Sequence, residues 1–266
     1  MRTASPSLAD YRRAELRHAP LRIAVYAALA GLVMIAGCQL LFPRMPAQVI
    51  DFLRVAFKLP DIGGVVLVND YLAVYFCAFS AGMFGLLGVV VAPREEHQLE
   101  LLLCKPVPPA DFLAARTWPI LAMTTTVGVT LAAACAVATL PFLGASSSVS
   151  PAGAFGAGLA MTALVLLQLT ALGVAFVRVA ESMNAVLLAL LVALMPVLPT
   201  AAFIYRPDLF VDHPELTAAT VLANLVWSDA RLVWLGPSLL LLALLLAALG
   251  VRVGGRLLAR TNSAIK

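Results

Sequence analysis

The chain has 266 residues, of which 62% are hydrophobic and only 12% charged, with a formal net charge of +4 and a mean hydropathy of +0.98. This composition excludes an ordinary soluble globular domain and predicts an all-α integral membrane protein. The positive charge needs no nucleic acid to explain it, because basic residues flanking membrane helices account for it.

The first twenty residues are polar and basic. Ser7 and Asp10 have the spacing of a capping box, and Leu8, Tyr11 and Leu16 fall on one side of a helix that also carries Arg12, Arg13 and Arg17. Two readings stay open: an amphipathic elbow lying on the inner membrane surface, or a plain basic flank. The apolar run that follows is longer than the core of a signal peptide, so it is expected to stay as an anchor.

A bilayer core of roughly 30 Å needs about 20 apolar residues per helical span. Windows free of Asp, Glu, Lys, Arg and His run over 23–43, 71–93, 117–177, 182–205 and 232–251. The third is too long for one crossing, and its middle, GASSSVSPAG at 144–153, is a turn signal. Six spans are therefore predicted, at about 21–43, 70–92, 117–143, 154–177, 183–205 and 232–251, in a transmembrane domain covering 21–254 with a cytoplasmic tail at 255–266. Basic residues resist translocation. Of the 18 Lys and Arg, 13 fall on the side that holds both termini and the 94–116 loop, and 5 on the other. Both termini and that loop are thus expected in the cytoplasm. The preference for Arg (15) over Lys (3) fits the bacterial cytoplasmic (inner) membrane as the expected location.

The 94–116 loop, REEHQLELLLCKPVPPADFLAAR, is the one long charged interruption with a pattern. Glu95, Glu96 and Glu100 alternate with Leu99, Leu102 and Leu103, so a helix over 94–104 would present a carboxylate face and a leucine face. Lys105 and Pro106 end it. A second helix begins near Pro109, which suits the first helical position, with Asp111 in its first turn where a carboxylate favours the helix dipole. Periodicity alone leaves a charged linker as an equal alternative.

The order Arg94-Glu95, Leu99-Glu100-Leu101-Leu102-Leu103, Pro106-Val107, Asp111-Phe112-Leu113 and Arg116 resembles the loop after the second span in permeases of type-2 ATP-binding-cassette (ABC) exporters, which commonly reads like RERGTLELLLATPVSRWEFLLGK. The spacing matches without a gap. His97 stands where that family often has Gly, Pro108-Pro109 replace a Ser-Arg-like pair, and Arg116 stands for Lys. Elsewhere the likeness is one of layout: elbow, six spans, and a long outer segment before the last span. The resemblance implies that Glu95, Glu96, His97, Leu99, Glu100, Leu102 and Leu103 form a coupling helix that docks on a cytoplasmic ABC ATPase subunit. ATP and Mg would then sit on that partner, and a second permease copy would make a homodimer. The chain itself has no GxxxxGK[ST] loop and no Gly-Lys pair, so it is not expected to be an enzyme.

Inside the spans, Gln168, Thr125 and Tyr75 are candidates to line a path, although Thr in a membrane helix more often bonds its own backbone. Gly82, Gly85 and Gly88 permit close helix approach. A path lined mainly by apolar residues favours an amphipathic or lipid-like substrate over a small ion. The outer segment 206–231 fits either a lid over an exit path or an interfacial amphipathic helix, and Pro196 and Pro199 would kink the fifth span. The three histidines lie in different segments outside the spans, and the four cysteines show no CxxC spacing, so no metal site is expected. Asp70, beside Asn69, reads as a cap of the second span. On that reading no ionisable group lies in midspan, which disfavours the alternative of an ATP-independent secondary transporter or channel. A membrane assembly or immunity protein is a further alternative.

Overall fold

A computed structural model describes residues 21–56, 62–95, 109–140, 150–179, 181–196 and 232–263. These residues are all-helical. Five helices are long and apolar enough to cross a membrane, which fits a multi-pass membrane protein. They are α1 (Leu21–Leu41), α3 (Ile62–Leu86), α5 (Pro109–Ala138), α6 (Pro151–Phe176) and α8 (Leu232–Ser263). Between them lie a 3-10 turn (Phe42–Arg44), the short α2 (Ala47–Ala56), a π-turn (Leu87–Val91) that runs on from α3, α4 (Ala92–Glu95) and α7 (Ser182–Leu194). The elbow residues Arg12, Arg13 and Arg17, the loop residues Glu96, His97, Leu99, Glu100, Leu102 and Leu103, and the 206–231 segment lie outside the described residues.

Local sequence chemistry sets several helix ends. Pro109 opens α5 and Asp111 sits in its first turn, as the sequence predicts, and the helix then runs unbroken to Ala138. Ser150 caps α6: its side chain accepts from the Gly153 N–H at 3.0 Å, and Pro151 occupies the first turn. Ser150→Ala is expected to cost about 1 kcal/mol at that end. It should appear as faster hydrogen exchange confined to the first turn of α6; exchange matching the wild type would remove the cap from the account.

Helix α6 is central, with most of its length buried, and it packs on α3, α5 and α8. Small residues set the register of these contacts. A Cβ built on Gly236 of α8 would lie 2.7 Å from the Gly156 carbonyl carbon of α6, while Gly250 and Gly254 meet Thr170 and Val174. The offset along the chain is constant, so α6 and α8 run parallel. Gly128 of α5 meets Thr162, and Gly158 of α6 meets the Ala132 Cα, so α5 and α6 run antiparallel. Gly82 and Gly85 of α3 close on Leu169 and Ile120, whereas Gly88 faces open space; two of the three glycines are packing positions. Helices α1 and α8 bury little of their surface and expose Tyr26, Val33, Trp234 and Leu241, the pattern of lipid-facing helices.

One expectation needs correction. Asp70 does not cap a helix: α3 starts at Ile62, so Asp70 lies well inside it, and the side chain has no exposed surface. The apolar run from Ile62 to Val68 carries the helix past the Asn69-Asp70 pair, which the search for charge-free windows took as a boundary. The fifth apolar stretch forms α7 over Ser182–Leu194 and turns at Met195 and Pro196; residues 197–205 of the predicted span lie outside the described residues.

Candidate functional site

Two regions bear on function, and each lies where helix ends meet side chains from a neighbouring helix. The first is the end of α7. The last carbonyls of any helix lack intrahelical donors, and here two of them are supplied from across the bundle. Gln168 Nε2 of α6 donates to the Val192 carbonyl at 2.9 Å. The Tyr75 hydroxyl of α3 is 2.8 Å from the Ala193 carbonyl and 2.9 Å from Gln168 Oε1; its single proton is shared between them. The Tyr75 ring stacks on Phe79 at 6.0 Å and meets Phe76 edge-on at 5.3 Å. Tyr75 and Gln168, placed together only by the fold, thus cap the last turn of α7.

Thr125 is not part of this group. Its hydroxyl donates to the Leu121 carbonyl at 2.7 Å, and Thr124 and Thr126 likewise bond their own helix, as the residue type suggests. Replacing Tyr75 by Phe and Gln168 by Leu, singly and together, is expected to give a coupling of about 1 kcal/mol in a double-mutant cycle of thermal unfolding in detergent. Additive losses would mean that the Tyr75–Gln168 bond contributes nothing.

The second region is the end of the bundle that bears the 94–116 loop. The π-turn Leu87–Val91 widens the backbone where α3 runs into α4. π-turns of this kind often mark functional positions. It presents the Val89 carbonyl to Arg116 Nη1 of α5 at 3.1 Å. Glu95, the described residue of the predicted coupling set, accepts a hydrogen bond from the Ser182 hydroxyl at the start of α7. Glu181 in turn accepts from Asn184 Nδ2 at 2.9 Å. Both ends of the loop are therefore tied to helices: one through Arg116 to the π-turn, the other through Glu95 to α7. The sequence motif names Arg116 and Glu95 but does not name their partners, since Val89 contributes a backbone atom and Ser182 lies in a distant segment.

No family model, known protein or solved structure matches the chain. Its function is therefore argued from its own residues. Among the described residues no group of three His, Cys, Asp or Glu side chains could hold a metal ion.

Proposed function

We propose that the chain is the membrane-spanning permease subunit of an ABC transporter. It would couple ATP hydrolysis by a separate cytoplasmic ATPase subunit to export of an amphipathic or lipid-like substrate, as a homodimer in a bacterial inner membrane. The observation that carries this reading is the way the ends of the 94–116 loop are held. Arg116 joins α5 to the π-turn below α3, and Glu95 joins α4 to α7. A force applied to the loop is thus passed to three helices at once, and hydrogen-bonded helix ends transmit it better than a solvated linker would. The leucine and carboxylate faces written into residues 94–104 supply a docking surface for a partner, with Leu99, Leu102 and Leu103 giving apolar area and Glu95, Glu96 and Glu100 pairing with its basic residues.

The test is a pull-down of the tagged chain from detergent-solubilised native membranes. The expected result is recovery of an ATPase that carries a phosphate-binding loop. Its consistent absence would shift the reading to the second one, an ATP-independent ion-coupled carrier, which the burial of Asp70 favours because such carriers place ionisable groups inside their spans.

A further inference from the structure

A second polar cluster lies where α1, α3 and α5 meet, at the end of the bundle opposite the 94–116 loop. Asp70 has no exposed surface, and neither of its carboxylate oxygens has a hydrogen-bond partner. Gln39 of α1 faces it, and Gln39 Nε2 is also buried without a partner. Asn69 is engaged elsewhere, donating to Cys38 Sγ. Cys38 of α1, Cys135 of α5 and the adjacent Tyr71 are the titratable groups within electrostatic reach of the carboxyl. No basic side chain among the described residues offsets its charge.

An ionised carboxylate buried without a cation is among the costliest groups a membrane protein can hold. Three things can neutralise it: a basic side chain, a metal cation or a proton. The first is missing among the described residues. Hard cations want about six oxygen ligands, whereas Cys38 and Cys135 bring sulfur to this cluster, and no group of three His, Cys, Asp or Glu side chains among the described residues could hold a metal ion. The proton also explains the unpartnered amide. A carboxylate only accepts, but a carboxylic acid offers one donor and one acceptor, which complement the acceptor and donor of a primary amide.

We propose that Asp70 is a proton-binding site, neutral while packed against Gln39 between α1 and α5, and that release of its proton loosens α1 from α3. The proton is exchanged with the aqueous phase at that end of the bundle. α1 is the helix suited to yield, since it buries only Ala24, Gly31 and Ile35. The site is independent of the ATPase reading, and its test is read on this chain alone.

The full chain is placed in lipid nanodiscs at neutral pH and treated with dicyclohexylcarbodiimide, which modifies protonated carboxyls in apolar surroundings. Infrared spectra of the wild type and Asp70→Asn are recorded in parallel. Labelling of the peptide that contains Asp70 is expected, together with a protonated-carboxyl carbonyl band that Asp70→Asn loses. Raising the pH increases the rate at which maleimide modifies Cys38 in both proteins, because the thiolate is the reacting form; the increase should be several-fold larger in the wild type than in Asp70→Asn, which reports thiol ionisation alone. No label and no band at neutral pH would overturn the proposal, and an equal increase in the Cys38 rate in the two proteins would overturn the coupling to α1. Runs in sodium chloride and in choline chloride separate the cations: label lost only in sodium would show that sodium displaces the proton and would overturn the proton as the resident ion of the site in salt. Should Asp70→Asn fail to assemble, labelling of the wild type still decides, because the modified residue is identified by peptide mass.

Discussion

On the proposed permease reading, Leu102→Asp is expected to leave the chain in the membrane and abolish its stimulation of the proposed ATPase partner. On the 94–104 pattern, Leu102 shares a helical face with Leu99 and Leu103. Burying one leucine in a partner's groove is worth about 1.5–3 kcal/mol. An aspartate forfeits that and brings a carboxylate into an apolar contact, at a further cost of several kcal/mol if it stays unpaired. The sum corresponds to a loss of affinity of at least about 100-fold. Insertion should be unaffected, since residues 94–116 already carry charges and need not cross the bilayer. The assay is ATP hydrolysis by the recovered ATPase reconstituted with wild-type or mutant chain. Wild-type stimulation by the mutant would remove Leu102 from the interface. His97→Gly, which restores the residue common in the resembling family, should leave stimulation within a few-fold of wild type.

Gly236→Val is expected to cost the fold more than any other single change proposed. At this crossing the backbones of α8 and α6 touch: a Cβ on Gly236 would meet the Gly156 carbonyl oxygen and come within 2.8 Å of its Cα. A flexible side chain could turn aside, but a backbone atom inside a helix cannot, so the two helices must separate along their most extensive contact. Overpacking of this kind costs about 1–3 kcal/mol for the first carbon atoms and more for a branched side chain. Gly158→Ala tests the same point between α6 and α5, where Ala132 Cα lies 2.8 Å from the added carbon. Gly37→Ala is the control, because nothing lies within 4 Å of its Cβ position. Thermal unfolding in detergent should show a marked loss for Gly236→Val, a smaller one for Gly158→Ala and none for Gly37→Ala. Equal behaviour of Gly236→Val and Gly37→Ala would mean that α6 and α8 do not cross at these glycines.

Much of the helix layout was legible in the sequence because its causes are local. Pro109 and Asp111 mark the start of α5 with no help from the rest of the chain, since one lacks an N–H that the first turn does not use and the other meets the positive end of the helix. The self-bonding of Thr124, Thr125 and Thr126 is equally local. Gly82 and Gly85 were recognisable as small positions, though not that Leu169 and Ile120 would fill the space above them. The reading of Asp70 as a helix cap fails for a tertiary reason. A charge-free window ends at any ionisable residue, whereas the bundle surrounded this carboxyl with α1 and α5.

By itself the sequence determined that this is an apolar, all-helical chain whose long helices belong in a membrane, and it marked one charged stretch as the place where a partner would act. Those properties follow from sums over neighbouring residues: transfer free energy accumulated along a helix and the chemistry of its first and last turns. Only the tertiary structure decided that α6 is the central helix, that α8 lies parallel on it through Gly236, that Tyr75 and Gln168 finish α7, and that Asp70 faces Gln39 out of contact with water. Each of these depends on the close approach of residues far apart in the chain, where a missing Cβ or an unmatched hydrogen-bonding group counts only once the opposing helix is in place.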